Sequence, residues 1–378
     1  MDNQKIIIGI MTGTSVDSVD VALCKFYTHN ENFKFEVLHS NEYRINKEIR
    51  ELIFRIIGNN FTIKELSQLN FYLAHLFNDY SRKICSEINL DFNLIDAISI
   101  HGQTLWHNPI AEPFADKIVA STLQLTSISA LSSLTGTKVI GDFRSADVAL
   151  GGQGAPLVPI FDYHFLKSKI NNVVALNIGG IANVTIIPTN SDFSNIIAFD
   201  TGAGNMLIDL ATKKYFNKNY DSNGEIAQSG KIIEVLFNKL KEIEFTYLKA
   251  PKSTGRELFN EELLHSLIQT NYLPNDIIRT LTEFTAFSIA YNIIKYAPIH
   301  SNIIVSGGGA KNIFLINTLK TLLDKYTITK IDNIGINGDA KEAICFAFLG
   351  YLNIMKIKLD ISHITGAKSH KILGISSY

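Results

Sequence analysis

Glycine-bearing turns recur along this chain where an apolar stretch ends or a helical stretch begins. Glycine lets the backbone approach a phosphate group closely, and exposed backbone N–H groups donate well to phosphate oxygens. One such turn is usually only a turn, but five in one chain favour a nucleotide-binding site. The five comprise residues 12–20, Gly151-Gly152-Gln153-Gly154, Gly179-Gly180, residues 201–205 and Gly307-Gly308-Gly309.

The common nucleotide and hydrolase motifs do not match these turns. Residues 307–312 come nearest to the Walker pattern and fail it, because no Gly-Lys-Ser/Thr closes the motif. The first turn holds Gly13 alone, which excludes the dinucleotide fingerprint. Residues 13–17 end in Asp17 where a serine-hydrolase elbow needs glycine. Hydride transfer and serine hydrolysis are therefore disfavoured.

Carboxylates beside these turns are candidates for metal binding and proton transfer. Asp17 and Asp20 flank the first turn, where an acid can hold Mg²⁺ through water, although aspartate also caps turns. Asp200 follows an apolar strand and precedes Thr201-Gly202, a placement that suits a general base. It suits a helix cap equally well, so both interpretations stay open at this point.

Histidines and an arginine add a second polar group of candidates. His101 and His107 are six positions apart, a poor spacing for a metal site, so local hydrogen bonding is the simpler interpretation. The run His101-Gly102-Gln103-Thr104 offers donors and acceptors for a polyhydroxylated ligand. Arg144 and Asp147 can add charge-assisted contacts.

The elements that must position these residues are predicted from hydrophobic periodicity. A strand, a turn and a second strand occupy residues 5–26, and residues 173–187 repeat that pattern as a duplicated α/β lobe would. Helical spacing is read over residues 45–57, 63–88, 121–134, 277–296 and 340–355. The two hairpins with small-residue tips predict a two-lobed α/β protein with an ATP cleft between lobes, as in actin/hexokinase-like ATPases. The predicted lobes are residues 1–140 with a return at 359–378, and residues 141–358.

Composition sets the broad class. The 378 residues carry 35 basic and 36 acidic side chains, which argues against a general nucleic-acid binder. Three scattered cysteines show no disulfide or metal pattern and favour a reducing compartment. The N-terminal residues do not resemble a secretory signal, and no apolar run is long enough for a membrane helix. A cytoplasmic, two-domain protein without membrane or nucleic-acid partners is expected.

Together these segments resemble the anhydro-N-acetylmuramic acid kinase family over nearly the whole chain. Many blocks match the family in order, which makes chance a poor explanation. They are Gly9 to Asp17, His101-Gly102-Gln103-Thr104 with His107 and Pro109, Asp142-Phe143-Arg144 with Asp147, residues 151–159, Asn177 to Asn183, Phe199-Asp200-Thr201-Gly202, residues 251–257, Gly307-Gly308-Gly309-Ala310 with Asn312, Lys341-Glu342-Ala343 and Thr365-Gly366-Ala367.

The resemblance implies an actin/hexokinase-like (ribonuclease H-like) fold, ATP and Mg²⁺ as cofactors, and a homodimer. It implies that 1,6-anhydro-N-acetylmuramic acid is opened by water and phosphorylated at O6, yielding N-acetylmuramic acid 6-phosphate in peptidoglycan recycling. Asp200 matches the catalytic base. The ATP-binding matches are Gly13, Thr14, Ser15, Val16, Asp17, Ser18, Val19, Asp20, Gly179, Gly180, Gly307, Gly308, Gly309 and Asn312, with Asp17 and Asp20 near the metal. The matches near the sugar are His101, Gln103, Thr104, Arg144, Asp147 and Glu342.

Some positions depart from the family pattern. Ser18 replaces the usual glycine, Thr12 the usual serine, and Ala203 the common proline. Residues 126–128 replace a Gly-Asp/Asn-Pro turn, which bears on the shape of the cleft more than on the chemistry. Ser18 is compatible with the turn if its φ is negative.

Two other functions remain possible at this point. A kinase of another sugar on the same fold would let a substrate hydroxyl attack ATP directly, without water. A non-catalytic ATP-binding regulator would be expected to have an altered base or phosphate turn, and the retained Asp200 and Gly13-Thr14-Ser15 count against it.

Overall fold

The chain folds into two compact units. The structure, a computed structural model, describes residues 4–13, 15–30, 32–255, 257–369 and 372–378. The first unit comprises Met1–Phe165 and Ala340–Tyr378, and the second comprises Leu166–Asp339. The chain therefore leaves the first unit once and returns to it at its C-terminal end.

The described residues of the first unit form seven strands and five helices before the chain crosses to the second unit, and three further elements after it returns. In chain order they are β1 (Lys5–Thr12), β2 (Ser18–His29), β3 (Asn32–Arg44), α1 (Lys47–Ile57), α2 (Ile63–Ser86), β4 (Ala97–Ile100), β5 (Gln103–Phe114), β6 (Lys117–Leu125), α3 (Ile128–Thr135), β7 (Val139–Gly141), α4 (Ser145–Ala149), α5 (Val158–Leu166), and later α12 (Lys341–Ile354), α13 (Ser362–Thr365) and β13 (Ile375–Ser377).

The sheet of the first unit has the strand order β13-β7-β4-β1-β2-β3. β1, β2 and β3 are antiparallel, whereas β4 runs parallel to β1 and β7 parallel to β4. The returning helix α12 packs directly on this sheet because Gly9 has no side chain. A Cβ at Gly9 would lie 1.9 Å from the Ala343 carbonyl oxygen of α12. Gly9 thereby sets how closely the first turn of α12 approaches β1.

The second unit contains the remaining strands and helices. In chain order they are β8 (Val173–Ile178), β9 (Ile181–Ile187), β10 (Ile197–Ala203), α6 (Met206–Phe216), α7 (Glu225–Ser229), α8 (Glu234–Lys241), α9 (Glu261–Leu267), α10 (Pro274–Tyr296), β11 (Asn302–Ser306), α11 (Ile313–Leu322) and β12 (Thr327–Lys330).

The sheet of the second unit repeats the arrangement of the first. Its order is β10-β9-β8-β11-β12, with three antiparallel strands followed by two parallel ones. Its core consists of the apolar sides of β8, β9 and β11 packed with α10 and α11, including Val174, Ile289 and Leu319. The duplicated sheet confirms the predicted α/β class, and its strand order is that of the ribonuclease H-like, actin/hexokinase-like fold.

Two details of the sequence-based organisation differ in the structure. Residues 121–134, predicted as one helix, instead complete the β5–β6 hairpin and then form α3. Here cross-strand pairing with β5 overrides the helical spacing. The units also divide at residues 165/166 and 339/340 instead of near 140 and 358, because α4, α5 and α12 pack with the first unit. Among the described helices, none has the length and apolar character required to cross a bilayer.

Candidate functional site

The turn between β1 and β2 is held by a side chain from α1. Arg50 forms an ion pair with Asp17, with 2.7 Å between Nη2 and Oδ1, and its guanidinium also lies 3.4 Å from the Ser15 carbonyl oxygen. Val16 is fully buried and has φ 54°, a left-handed conformation that is costly for a β-branched residue. Ser18 is not among the described residues with positive φ, so its replacement of glycine is accommodated. Thr14 lies outside the described residues.

This turn carries the predicted metal-binding carboxylates. Asp17 is more than half exposed and already bonded to Arg50, while Asp20 lies within β2 opposite Met11. Within the described ranges, no three histidine, cysteine, aspartate or glutamate side chains form a cluster suited to a metal ion. Contact of Asp17 or Asp20 with Mg²⁺ through water stays a prediction. Arg50 was missed by sequence reasoning, because only the fold brings α1 to this turn.

At the end of β4, His101 is a buried support for Arg144. Its Nδ1 lies 2.7 Å from the Gly102 carbonyl oxygen, while its Nε2 lies 3.1 Å from Arg144 Nε and 2.9 Å from Nη2. Burial and the adjacent guanidinium hold the pKa of His101 well below its usual value. The neutral ring therefore donates from Nδ1 and accepts at Nε2, which orients Arg144 and leaves His101 no role as a base.

Asp147 uses both carboxylate oxygens inside the first unit. Oδ2 accepts a hydrogen bond from the Gly154 amide at 2.7 Å, and Oδ1 accepts one from the Thr365 hydroxyl at 2.7 Å. Arg144 Nη1 also donates to the Gly154 carbonyl oxygen at 2.8 Å. Two of the predicted sugar-binding residues are thus brought together around the glycine turn at residues 151–154. Asp147 shapes this turn from within.

Gln103 and Glu342 keep unused polar capacity. Gln103 is completely buried, its Nε2 donates to the Thr104 carbonyl oxygen, and its Oε1 has no hydrogen-bond partner among the described residues. Glu342 lies in the first turn of α12, where burial raises the pKa of its carboxyl while Lys341 and Arg144 oppose the rise. An unsatisfied buried acceptor is costly, which is consistent with a ligand hydrogen-bonding there.

A cavity of about 230 Å³ opens beside His101 and Gly102. Its wall includes His101, Gln124, Asp142 and Ser145. Thr126 and Ile128, which depart from the family pattern, also line it. The departure therefore changes the surface of a cavity next to His101 and leaves the His101–Arg144 contact in place.

In the second unit the glycine turns converge at one end of the sheet. The amides of Gly204 and Asn205 donate to the carbonyl oxygens of Gly180 and Gly179, each at 2.8 Å. A Cβ at Gly307, which has φ 83°, would lie 2.7 Å from the Ile178 carbonyl oxygen. Three turns that are far apart in sequence, at residues 179–180, 201–205 and 307–309, thus form one close-packed surface. Such crowded backbone is the arrangement expected around nucleotide phosphates.

Asn312 has a structural role at the edge of this surface. Its side-chain oxygen accepts from the Leu315 amide at 2.9 Å and caps α11. The residue is 7% exposed. The structure therefore accounts for Asn312 through helix capping, and ATP contact by this residue stays a prediction.

Asp200 is presented by a bulge in β10. The pairing of β10 with β9 shifts between Asp200 and Gly202. The Thr201 carbonyl oxygen accepts a hydrogen bond from the Ser288 hydroxyl of α10 at 2.7 Å, and Gly202 has φ 146°. A bulge turns a side chain away from the regular alternation of a strand. Here it accounts for a polar residue in the middle of β10, between buried neighbours on both sides.

The segment Lys252-Ser253-Thr254, which we call the Asp200 clamp, surrounds this carboxylate. The Asp200 amide donates to the Lys252 carbonyl oxygen at 2.9 Å. Asp200 Oδ2 accepts from the Ser253 hydroxyl at 3.0 Å and from the Thr254 amide at 2.9 Å. Burial raises the pKa of Asp200 to about 6, although these hydrogen bonds oppose the rise. An acid with this pKa can accept a proton near neutral pH.

Sequence reasoning identified Asp200 but gave the clamp no role. The only signal was the small polar block at residues 251–257, of which Arg256 lies outside the described residues. Lys252 anchors the clamp, because its Nζ donates to the carbonyl oxygens of Phe245 and Thr246 at 2.8 and 2.9 Å. Burial and Lys295 lower the pKa of Lys252 to about 8.

Comparison with known proteins identifies a family for the whole chain. A sequence model described as anhydro-N-acetylmuramic acid kinase matches residues 5–378. The protein of that name from Bacillus cereus (strain AH187) is 36% identical, covering 98% of this chain and 99% of the relative. The one from Clostridioides difficile (strain 630) is 36% identical, covering 97% of each. A solved structure, component A of the (R)-2-hydroxyglutaryl-CoA dehydratase of Acidaminococcus fermentans, is similar at 11% identity with a TM-score of 0.47, covering 93% of this chain and all of that one.

Proposed function

The chain belongs to the anhydro-N-acetylmuramic acid kinase family, and we propose that it converts 1,6-anhydro-N-acetylmuramic acid, water and MgATP into N-acetylmuramic acid 6-phosphate and ADP. The observation that carries this proposal is the Asp200 carboxylate. Its Oδ2 is fixed by two hydrogen bonds, and its Oδ1 has no hydrogen bond within the described part of the chain. A base held in this way can remove a proton from water.

The reaction couples two displacements. Asp200 accepts a proton from water as the water oxygen bonds to the anomeric carbon and the bond from that carbon to O6 breaks. O6 then attacks the γ-phosphorus, and the bond between that phosphorus and the β,γ-bridging oxygen breaks to release ADP. The proton on Asp200 returns to solvent. Because phosphoryl transfer needs positioning and charge stabilisation more than covalent help, fixed backbone donors are the main requirement.

The glycine turns supply those donors in this proposal. The turn at residues 12–17 and the clustered turns at residues 179–180 and 307–309 would bind the ATP phosphates through backbone N–H groups. Mg²⁺ enters with ATP as part of the substrate, and Asp17 or Asp20 would approach it through water. This fits the exposed Asp17 and the lack of an all-protein metal cluster among the described residues.

The sugar is assigned to the polar groups of the first unit. Gln103 Oε1 is a buried acceptor without a partner among the described residues, and Thr104, Arg144 and Glu342 accompany it. His101 and Asp147 act on the sugar indirectly, because their polar atoms already form hydrogen bonds with Arg144, Gly154 and Thr365. The two residues therefore shape the sugar site rather than contact the sugar. With this product the enzyme would act in peptidoglycan recycling, and we propose that it does so in the cytoplasm.

Isotope labelling tests the proposal. The protein is incubated with MgATP and the anhydro sugar in ¹⁸O-labelled water, and the product is analysed by mass spectrometry. We expect one phosphate per sugar and one ¹⁸O at the anomeric carbon. A phosphorylated product without label would instead indicate direct attack by a sugar hydroxyl. An absence of phosphorylated product would contradict the proposed activity.

A further inference from the structure

Consecutive residues of the Asp200 clamp contact different parts of the same aspartate. The Lys252 carbonyl oxygen binds the Asp200 amide, while the Ser253 hydroxyl and the Thr254 amide both bind Oδ2. The clamp itself is tied to the 3₁₀ turn at Glu244–Tyr247 through Lys252 Nζ. The carboxylate is therefore fixed in rotation by groups that do not belong to its own strand.

The two donors to Oδ2 differ in whether a substitution can remove them. The Thr254 amide is part of the backbone and stays whatever side chain occupies the position. The Ser253 hydroxyl is the one side-chain donor to Asp200 among the described residues, and Ser253 is itself exposed. Its removal therefore leaves the main-chain path and the buried core unchanged.

Among the described residues, few charged groups shift the pKa of this carboxylate. Lys252 lowers the pKa of Asp200, and Glu257 raises it. The neighbouring groups on the packed elements are uncharged: Asn183 pairs with Asp200 across β9, and α10 presents Ser288 and Asn292 to Thr201. Lys295 of α10 acts on Lys252 and is not among the groups that shift Asp200. The hydrogen bonds from the Thr254 amide and the Ser253 hydroxyl are therefore the main interactions that stabilise the charged carboxylate, and Ser253 supplies the only one of the two that comes from a side chain.

We infer that Ser253 is a positioning residue for Asp200: its hydroxyl, together with the Thr254 amide, holds Oδ2 so that Oδ1 is directed to the water that loses its proton. This inference rests on the proposed function, because it takes Asp200 to be the base. Ser253 does not react and passes no proton. Its hydrogen bond both fixes the carboxylate rotamer and stabilises the charged form.

The test compares three substitutions by pH–rate profiles with the full-length protein, MgATP and the anhydro sugar. Ser253→Ala removes the donor, and Ser253→Thr keeps a hydroxyl. Thr254→Ser alters the neighbouring side chain and keeps the hydrogen bond from the backbone amide at position 254. Activity requires charged Asp200 and falls as pH falls through its pKa. Losing a donor to the carboxylate raises that pKa. In Ser253→Ala the acid limb of the pH–rate profile, where activity falls with falling pH, therefore moves up by about 1 pH unit.

The expected pattern is specific to positioning. For Ser253→Ala, kcat at pH 6 falls about fivefold, since a limb displaced by about 1 unit leaves about a tenth of the base charged instead of half. The loss at pH 8 is smaller, and KM for ATP is unchanged. Ser253→Thr and Thr254→Ser retain the wild-type limb. A merely structural role would lower kcat equally at all pH values and leave the limb in place, which would overturn the inference.

A second measurement separates this inference from the proposed function. Carboxyl ¹³C NMR of the free protein, with Asp200→Asn to assign the signal, reports the Asp200 pKa without any turnover. A pKa higher in Ser253→Ala than in wild type supports the inference even for a different sugar substrate. An equal pKa in the two proteins overturns it even if wild type phosphorylates the anhydro sugar. Failure of the wild type alone to phosphorylate that sugar counts against the proposed function only.

Discussion

Asp147 and the Asp162–Lys341 pair of the first unit differ from the Asp200 carboxylate of the second unit in how completely their side chains are bonded. Asp147 has a hydrogen bond on each oxygen, and Asp162 forms an ion pair with Lys341 at 2.7 Å, with both side chains about 4% exposed. Asp200 has two hydrogen bonds on one oxygen and none on the other within the described residues. Asp147 thus has a partner on each oxygen and Asp162 has a paired cation, whereas Asp200 is bonded on one oxygen only.

The difference separates charges that support the fold from a charge that is available for chemistry. Pairing offsets much of the desolvation cost of a buried charge, and removing one partner leaves the other charge uncompensated. A buried charge that is only partly paired opposes folding and has a shifted pKa. Burial raises the pKa of Asp200 to about 6, as this distinction requires. Removing charges from the two regions should therefore have opposite effects on stability.

The largest effect is expected on turnover. In Asp200→Asn the side chain keeps its size and its acceptor for Ser253 but loses the base, so kcat should fall by about 10³-fold or more. ATP binding should stay near wild type, because Asp200 is proposed to contact water and not ATP. Steady-state kinetics and calorimetric titration with ATP measure the two quantities.

A control distinguishes loss of the base from a general effect of substitution. Asp192→Asn changes an aspartate that precedes a 3₁₀ turn without making a capping hydrogen bond, and it should keep wild-type turnover. Turnover near wild type in Asp200→Asn would remove Asp200 from the mechanism and with it the contrast between the two regions.

The next largest effect concerns the ion pair of the first unit. Lys341→Met leaves Asp162 buried without its cation, which should lower the free energy of unfolding by about 3–5 kcal/mol. The double variant Asp162→Leu with Lys341→Met removes both charges and should recover part of that loss. Urea denaturation followed by circular dichroism measures both variants. Equal destabilisation of the single and double variants would show that shape, and not charge pairing, determines stability there.

A smaller loss is expected at Thr365. Thr365→Val keeps the side-chain shape and removes the hydroxyl that donates to Asp147 Oδ1 at 2.7 Å. Hydrogen bonds to charged groups contribute about 1.5–3 kcal/mol, so the free energy of unfolding should fall by that amount. Thr318→Val, where the hydroxyl bonds a carbonyl oxygen within α11, should cost less. A loss no greater than that of Thr318→Val would show that the hydrogen bond to Asp147 contributes no more than one to a backbone carbonyl oxygen.

The last effect has the opposite sign. The pKa of Asp200 rises from its ordinary 3.8 to about 6 on folding, so the folded state binds the proton more tightly. Below about pH 4 Asp200 is protonated in both the folded and the unfolded state, so it does not change stability. As pH rises from about 4 to about 6, the unfolded state loses this proton more readily, and the folded state becomes less stable relative to it. Asp200→Asn should therefore be more stable than wild type at pH 8, and the difference should shrink toward pH 4. Denaturation midpoints at both pH values measure it, and a less stable variant at pH 8 would contradict the comparison.

Much of the site could be predicted from local sequence. Glycine turns after apolar strands predicted both hairpins, and Asp200 stood out as an acid at a strand end. The hairpin β5–β6 was missed. The residues of β6 have apolar side chains at helical spacing, and their pairing with β5 across the turn is not visible in the local sequence. Arg50, Lys341 with Asp162, and Ser253 were missed for a related reason: each acts on a residue distant in sequence.

The amino-acid sequence by itself determined the α/β class, the duplicated strand–turn–strand pattern, the family and the candidate base. These follow from residue types and short spacings, because hydrophobic periodicity and backbone preferences depend on residues that are close in sequence. Only the tertiary structure decided that His101 supports Arg144, that Asp147 is occupied by Gly154 and Thr365, and that one oxygen of Asp200 is held by the clamp. The state of a buried polar group depends on how many partners the fold brings to it, and those partners come from distant parts of the chain.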